Sequence, residues 1–236
     1  MSTIGNWRGP NIIKEGLVLY LDPGSPNSYL NKTSTAIKDI SGYGNNGTLT
    51  NGPVYNTING GNLLFDGVND YVIVNSNVYT KVLNLTIECL FKKVSGRTIL
   101  SHSSDGAGAI KTYSFEEVDG FNFTAKITTD VTQYTLYGGR LNNSWNLVST
   151  TYDSSLFCLY INGVLTSSTP TSGQLVYQDF NPSLLNIGRK NATDGEYING
   201  NIATVRLYNR ALSATEVLQN FNVTKSRFGL WVIIVT

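Results

Sequence analysis

The stretch Trp145-Asn-Leu-Val-Ser-Thr-Thr-Tyr152, a short Asp-Ser-Ser break, Leu156-Phe-Cys-Leu-Tyr-Ile161 and then Asn162-Gly163 carries the reading of the whole chain. Two runs rich in β-branched and aromatic residues flank a polar break, the composition of strands separated by a turn. Asn-Gly then supplies two residues that tolerate positive φ, as a two-residue hairpin requires. The same grammar extends upstream and downstream. Leu85, Ile87, Cys89 and Phe91 alternate with Thr86, Glu88 and Leu90, a strand with two different faces. Leu17 to Asp22, Thr98 to Ser101, Thr112 to Phe115, Phe121 to Ala125 and Thr132 to Tyr137 read as strands. So do Leu184 to Gly188 and Ile202 to Tyr208. Asn62 to Asp66 and Asp70 to Val74 read as two strands around a tight turn at Gly67.

One helix is written into the sequence. Ser213 followed three residues later by Glu216 is a capping box, and Leu212 with Val217 can form its hydrophobic staple. The segment is about two to three turns long, too short to stand alone, so it should pack on a sheet. Many antiparallel strands and one short C-terminal helix predict an all-β, two-sheet antiparallel jelly-roll sandwich. The expected organisation is an N-terminal arm over 1–15, a sandwich over 16–224 and a C-terminal tail over 225–236.

Composition narrows the function. Lys+Arg is 17 against Asp+Glu 16, so a broad phosphate-tracking surface has no support and no nucleic-acid partner is expected. A single histidine, His102, cannot build a two-His metal site within one chain. Cys89 and Cys158 are too few for a zinc site; buried free thiols are favoured over a bridge. No apolar window reaches the length of a membrane span, and Met1 to Pro10 lacks the apolar run of a secretory signal.

Ordered motifs carry a family resemblance. They are Leu19-Tyr-Leu-Asp22, Asp39-Ile-Ser-Gly-Tyr-Gly-Asn-Asn-Gly-Thr48, Phe65-Asp-Gly-Val-Asn-Asp-Tyr-Val72, Leu85-Thr-Ile-Glu88, Trp145 to Asp153, Leu159-Tyr-Ile-Asn-Gly163, and Gly200 to Ser213 with Glu216. Together they resemble laminin-G-like domains of the concanavalin A-like lectin/glucanase superfamily. The run Gly9-Pro-Asn-Ile12 with Gly16 to Asp22, and the ending Gln219 to Leu230, resemble stand-alone laminin-G-like structural proteins of tailed phages. That resemblance implies a concanavalin A-like fold and a place on a virion, in a capsid or a tail appendage.

Site hypotheses follow from both readings. Relatives often hold calcium, and Asp22, Asp39 and Asn46 lie in the motifs that contribute to that region. In relatives an acidic pair stands where this chain has Ala203 and Thr204, so no cofactor is expected and calcium is weakened. The alternative for Asp39 and Asn46 is turn capping. Glycoside hydrolysis needs two carboxyls roughly 5 to 9.5 Å apart. Glu116, Glu117 and Asp119 are the densest candidates, but strand neighbours point to opposite faces and the glucanase Glu-x-Asp-x-x-Glu signature is absent. They read as an exposed acidic hairpin end, and no catalytic residue is assigned. Fourteen tyrosines and many asparagines suit sugars as well as strands; Tyr137, Tyr177 and Tyr197 fall nearest loops, and Trp145 reads as buried.

The tail is the sharpest feature. Trp231, Val232, Ile233, Ile234 and Val235 would self-associate if left unpaired. They must be covered, by an edge of the same chain or by strand addition to a neighbouring chain, and Trp7 of the arm could act likewise. The expected function is a non-enzymatic virion structural or decoration protein of a tailed phage, bound to other virion proteins and assembled on a particle or as a homo-oligomer. The alternative is a carbohydrate-binding adhesin module for host surface glycans. No membrane insertion is expected.

Overall fold

The computed structural model describes residues 11–75, 82–104, 111–118, 122–177, 183–193 and 195–230. Trp7, Asp119, Trp231, Val232, Ile233, Ile234 and Val235 lie outside them. In chain order the strands are β1 (Leu17–Leu21), β2 (Ala36–Ile37), β3 (Gly47–Thr50), β4 (Val54–Asn56), β5 (Asn62–Asp66), β6 (Tyr71–Asn75), β7 (Leu85–Gly96) and β8 (Thr98–Ser104). They continue with β9 (Lys111–Val118), β10 (Asn122–Thr128), β11 (Gln133–Gly139), β12 (Asn146–Tyr152), β13 (Leu156–Ile161), β14 (Val164–Pro170), β15 (Ser183–Ile187) and β16 (Ile198–Tyr208). Helix α1 (Ala214–Phe228) follows.

Two antiparallel sheets form, as the alternating pattern requires. The first runs β14-β13-β12-β7-β16-β5-β4, and the second β11-β10-β9-β8-β15-β6-β3-β2. On the edge of β16 away from β7, β5 pairs along Asn199 to Ile202 and β1 along Val205 to Tyr208. Ile87, Cys89 and Phe91 of β7 enter the inter-sheet core, which Phe115 and Phe123 fill from the opposite sheet. Phe91 and Phe123 stack across the interface with ring centroids 6.2 Å apart. The Asn162-Gly163 turn joins β13 to β14 with φ of 53° and 78°, the hairpin expected for this pair. Gly67 turns the chain too (φ 79°), but β5 and β6 lie in different sheets. That turn is a corner between layers, pinned by the Asp66 carboxylate accepting from the Val68 N–H at 2.8 Å.

The helix packs across the outer face of the first sheet. Its capping box is present: Ser213 Oγ accepts from the Glu216 N–H, and the Glu216 carboxylate accepts from the Ser213 N–H at 2.8 Å. It is longer than the expected two to three turns. It runs past Lys225, where the tail was expected to begin, and stops at Gly229 (φ 62°). Val217, Asn220, Phe221, Thr224 and Phe228 form its buried stripe. Beneath it Glu88 and Arg206 face each other directly across β7 and β16, both side chains almost wholly buried and 3.3 Å apart. Ser149 and Asn220 donate to Glu88 at 3.1 and 3.0 Å, and Arg206 donates to Thr224 at 3.1 Å. Among the described residues no helix is long and apolar enough to cross a membrane.

Candidate functional site

The loop resembling the family's metal region is built as a capped turn. Asp39 accepts from the backbone N–H groups of Tyr20, Ser41 and Asn45 and from the Ser41 hydroxyl, all within 2.8–3.0 Å. Asn46 Oδ1 accepts from the Asp39 N–H at 2.9 Å. This is the turn-capping alternative, and it occupies the carboxylate that a cation would need. Asp22 is engaged by Arg227, whose Nη1 reaches both carboxylate oxygens at 3.0 and 2.8 Å. The same guanidinium donates to the carbonyls of Asn59, Gly60 and Gly61 at 2.9, 3.3 and 2.8 Å. An oxygen cage exists here, but it is filled by a side-chain cation. Ala203 sits under α1 against Phe221 and Phe228, and Thr204 is buried. As built, this donor set does not fit a calcium ion.

The acidic cluster differs from its expectation. Glu116 is not an exposed hairpin end; it is fully buried on the outer face of the second sheet, bonded to the ammonium groups of Lys111 and Lys126. Burial pushes its carboxyl upward, yet the two lysines overcome that and hold it at about 2. It is therefore ionised at neutral pH and cannot serve as a general acid. Glu117 pairs with Lys93 at 2.6 Å. Cys89 and Cys158 are free and buried, because β12 stands between their strands.

The tyrosines nearest loops are spread apart. Tyr137 is 62% exposed. The Tyr177 hydroxyl is spent on the backbone of Val82, donating to its carbonyl at 2.9 Å and accepting from its N–H at 3.0 Å. Its ring stands edge-on to buried His102, centroids 5.2 Å apart. Tyr197 lies 6.4 Å from Tyr71, centroid to centroid.

The arrangement that sequence reasoning missed is centred on Trp145. Its ring is half-buried rather than buried, and its centroid lies 4.8 Å from that of Phe228. Together they wall a pocket of about 350 Å³ whose rim carries Lys92, Asn142, Ser144 and Asn146. The fold explains the convergence. Asn146 pairs with Phe91, which sets Trp145, at the start of β12, beside Lys92 of β7. The last turn of α1 delivers Phe228 from above. Asn146 Nδ2 braces the rim by donating to the carbonyls of Ser144 and Asn142 at 2.9 and 3.3 Å. The result is an apolar wall beside amides, a hydroxyl and one ammonium group. No sequence signal joined Trp145 to Phe228, because Phe228 falls beyond the expected helix.

Two antiparallel sheets face to face, with an aromatic pocket at one end of the outer helix, define a lectin-type sandwich. The chain belongs to the concanavalin A-like lectin/glucanases superfamily; the Laminin_G_3 family model matches residues 66–218. Solved structures agree on the fold. The botulinum neurotoxin serotype D binding domain matches with TM-score 0.68 at 17% identity over 89% of this chain and 51% of that one. The binding domain of Paraclostridial Mosquitocidal Protein 1 gives 0.66 at 17% over 89% and 52%. A botulinum neurotoxin type C structure, described as entering cells through interaction with two ganglioside molecules, gives 0.67 at 18% over 90% and 52%. The chain thus spans about half the length of these structures. Curated proteins gave no match.

Proposed function

We propose that this chain is a non-enzymatic adhesion module that holds a saccharide against the Trp145–Phe228 wall. The supporting observation is the pocket itself: a solvent-reaching indole for the flat face of a sugar ring, with Asn142, Ser144 and Lys92 placed to meet its hydroxyls. The lectin-type fold and a fold neighbour described as interacting with gangliosides agree with this reading. The test is a titration of tryptophan fluorescence with a panel of neutral and ganglioside-derived oligosaccharides, in wild type and Trp145→Ala. Saturable binding that weakens about tenfold or more in the variant is expected, as for loss of an aromatic anchor. Equal binding by the variant, or none by wild type across the panel, refutes it.

A second reading places the module on a phage particle as a decoration or tail-appendage protein. It is favoured by the resemblance of the two ends to phage structural proteins and by the edge strand β14, whose Val164 and Leu165 are exposed. An open edge of this kind suits strand addition from another subunit. Stoichiometric recovery of the chain in purified particles is expected on this reading, and its absence from them refutes it.

A further inference from the structure

On the second sheet, apart from the tryptophan pocket, Arg189 follows β15 and lays its guanidinium on the ring of Tyr71, 3.6 Å from the centroid. The residue is only 4% exposed. Its Nε donates to Asn186 Oδ1 at 2.9 Å, its only side-chain hydrogen bond among the described residues. No carboxylate of the described residues pairs with it. Glu196 is already committed to Lys190 at 3.3 Å, Arg97 at 3.5 Å and the Thr98 hydroxyl at 3.1 Å. The buried Asp70 carboxylate accepts from the Asp66 N–H instead. Its terminal Nη pair has no hydrogen-bond partner among the described residues.

A buried arginine normally has a counterion, because taking a charge out of water without one is costly. Elsewhere this chain obeys that rule: Arg206 has Glu88, Arg210 has Glu216 and Arg227 has Asp22. Arg189 alone among these buried or half-buried arginines is held rigid by a ring and an amide while its forked end stays bare. A fixed fork matches a planar oxyanion through two parallel N–H···O bonds. Tyr197 stands beside Tyr71 and gives a sugar ring a second aromatic neighbour. We propose that Arg189, oriented by Tyr71 and Asn186, is a subsite for the anionic group of an acidic saccharide. It lies on the second sheet, apart from the tryptophan pocket, and stands or falls independently of that pocket.

The experiment uses the full chain carrying Trp145→Ala, so that the other pocket is disabled, and titrates three probes by NMR. Methyl glucuronide carries a carboxylate, glucose 6-sulfate a sulfate, and methyl glucoside neither. Saturable binding of one or both acidic probes, at least about tenfold tighter than the neutral one, is expected from charge-assisted pairing. The arm that binds identifies carboxylate or sulfate as the group recognised. Arg189→Gln should lose that preference, and Arg189→Lys should recover only part of it, since an ammonium lacks the fork. Equal binding of all three probes, no binding of either acidic probe, or an unchanged preference in Arg189→Gln overturns the proposal.

Discussion

The pair under the helix allows a quantitative test. Glu88 and Arg206 sit opposite each other in the β7–β16 ladder, sealed by α1 and bonded to Ser149, Asn220 and Thr224. Arg206→Met leaves Glu88 buried with two neutral donors and no cation. Glu88→Leu leaves Arg206 with one hydroxyl acceptor. Breaking one side of a buried pair costs about 3–5 kcal/mol, whereas replacing both partners with apolar groups is nearly neutral. At about 2–4 °C per kcal/mol for a domain of this size, each single variant should melt roughly 6–20 °C lower. The Glu88→Leu/Arg206→Met double variant should recover to within about 1–2 kcal/mol of wild type. Urea unfolding followed by circular dichroism measures all four corners of the cycle, with the slopes checking that the denatured state is shared. A double variant as unstable as the sum of the singles would show that the two charges do not depend on each other, and the reasoning fails.

Two further outcomes follow from the same geometry. Glu216 is held at about 2 chiefly by its bonds to Arg210, and Glu116 reaches about 2 because its lysines outweigh burial. Both folded-state values lie below the ordinary glutamate value of 4.5, so their stabilisation is complete above that pH and is lost as pH falls towards 2. The urea midpoint should drop through this window, and Glu216→Gln should flatten the drop; an identical slope in the variant would refute the assignment. At Gly96, φ is +89° and an added Cβ would stand 2.1 Å from the Tyr197 carbonyl oxygen. Gly96→Ala should therefore cost about 2 kcal/mol or more in the same assay, and a neutral result would refute the close approach.

Legibility in the sequence divided along physical lines. Local chemistry was readable: the Asn162-Gly163 hairpin, the Ser213–Glu216 cap and the alternation from Leu85 to Phe91 each depend on near neighbours. Glu88 was readable as the polar side of a strand, but its burial comes from a helix more than a hundred residues away. The helix was underread because Asn220, Asn222 and Thr224 are poor helix formers. Two of them are held in the helix by tertiary partners, Asn220 by Glu88 and Thr224 by Arg206. That error hid Phe228, and with it the pocket beside Trp145. Arg189 gave no signal at all, since nothing in a sequence marks an arginine that will be buried without a counterion. The turn at Gly67 was legible as a turn, while its crossing between sheets is a property of the pairing on either side.

The closing of the first sheet sets a timetable for manufacture. β1 finds its partner in β16, and Asp22 is latched by Arg227 across a separation of 205 residues. At ribosomal speeds of about 5–20 residues per second, that interval lasts about 10–40 s. Throughout it β1 must wait without its neighbour, its apolar residues uncovered. The newborn domain can be zipped shut only when its final helix emerges.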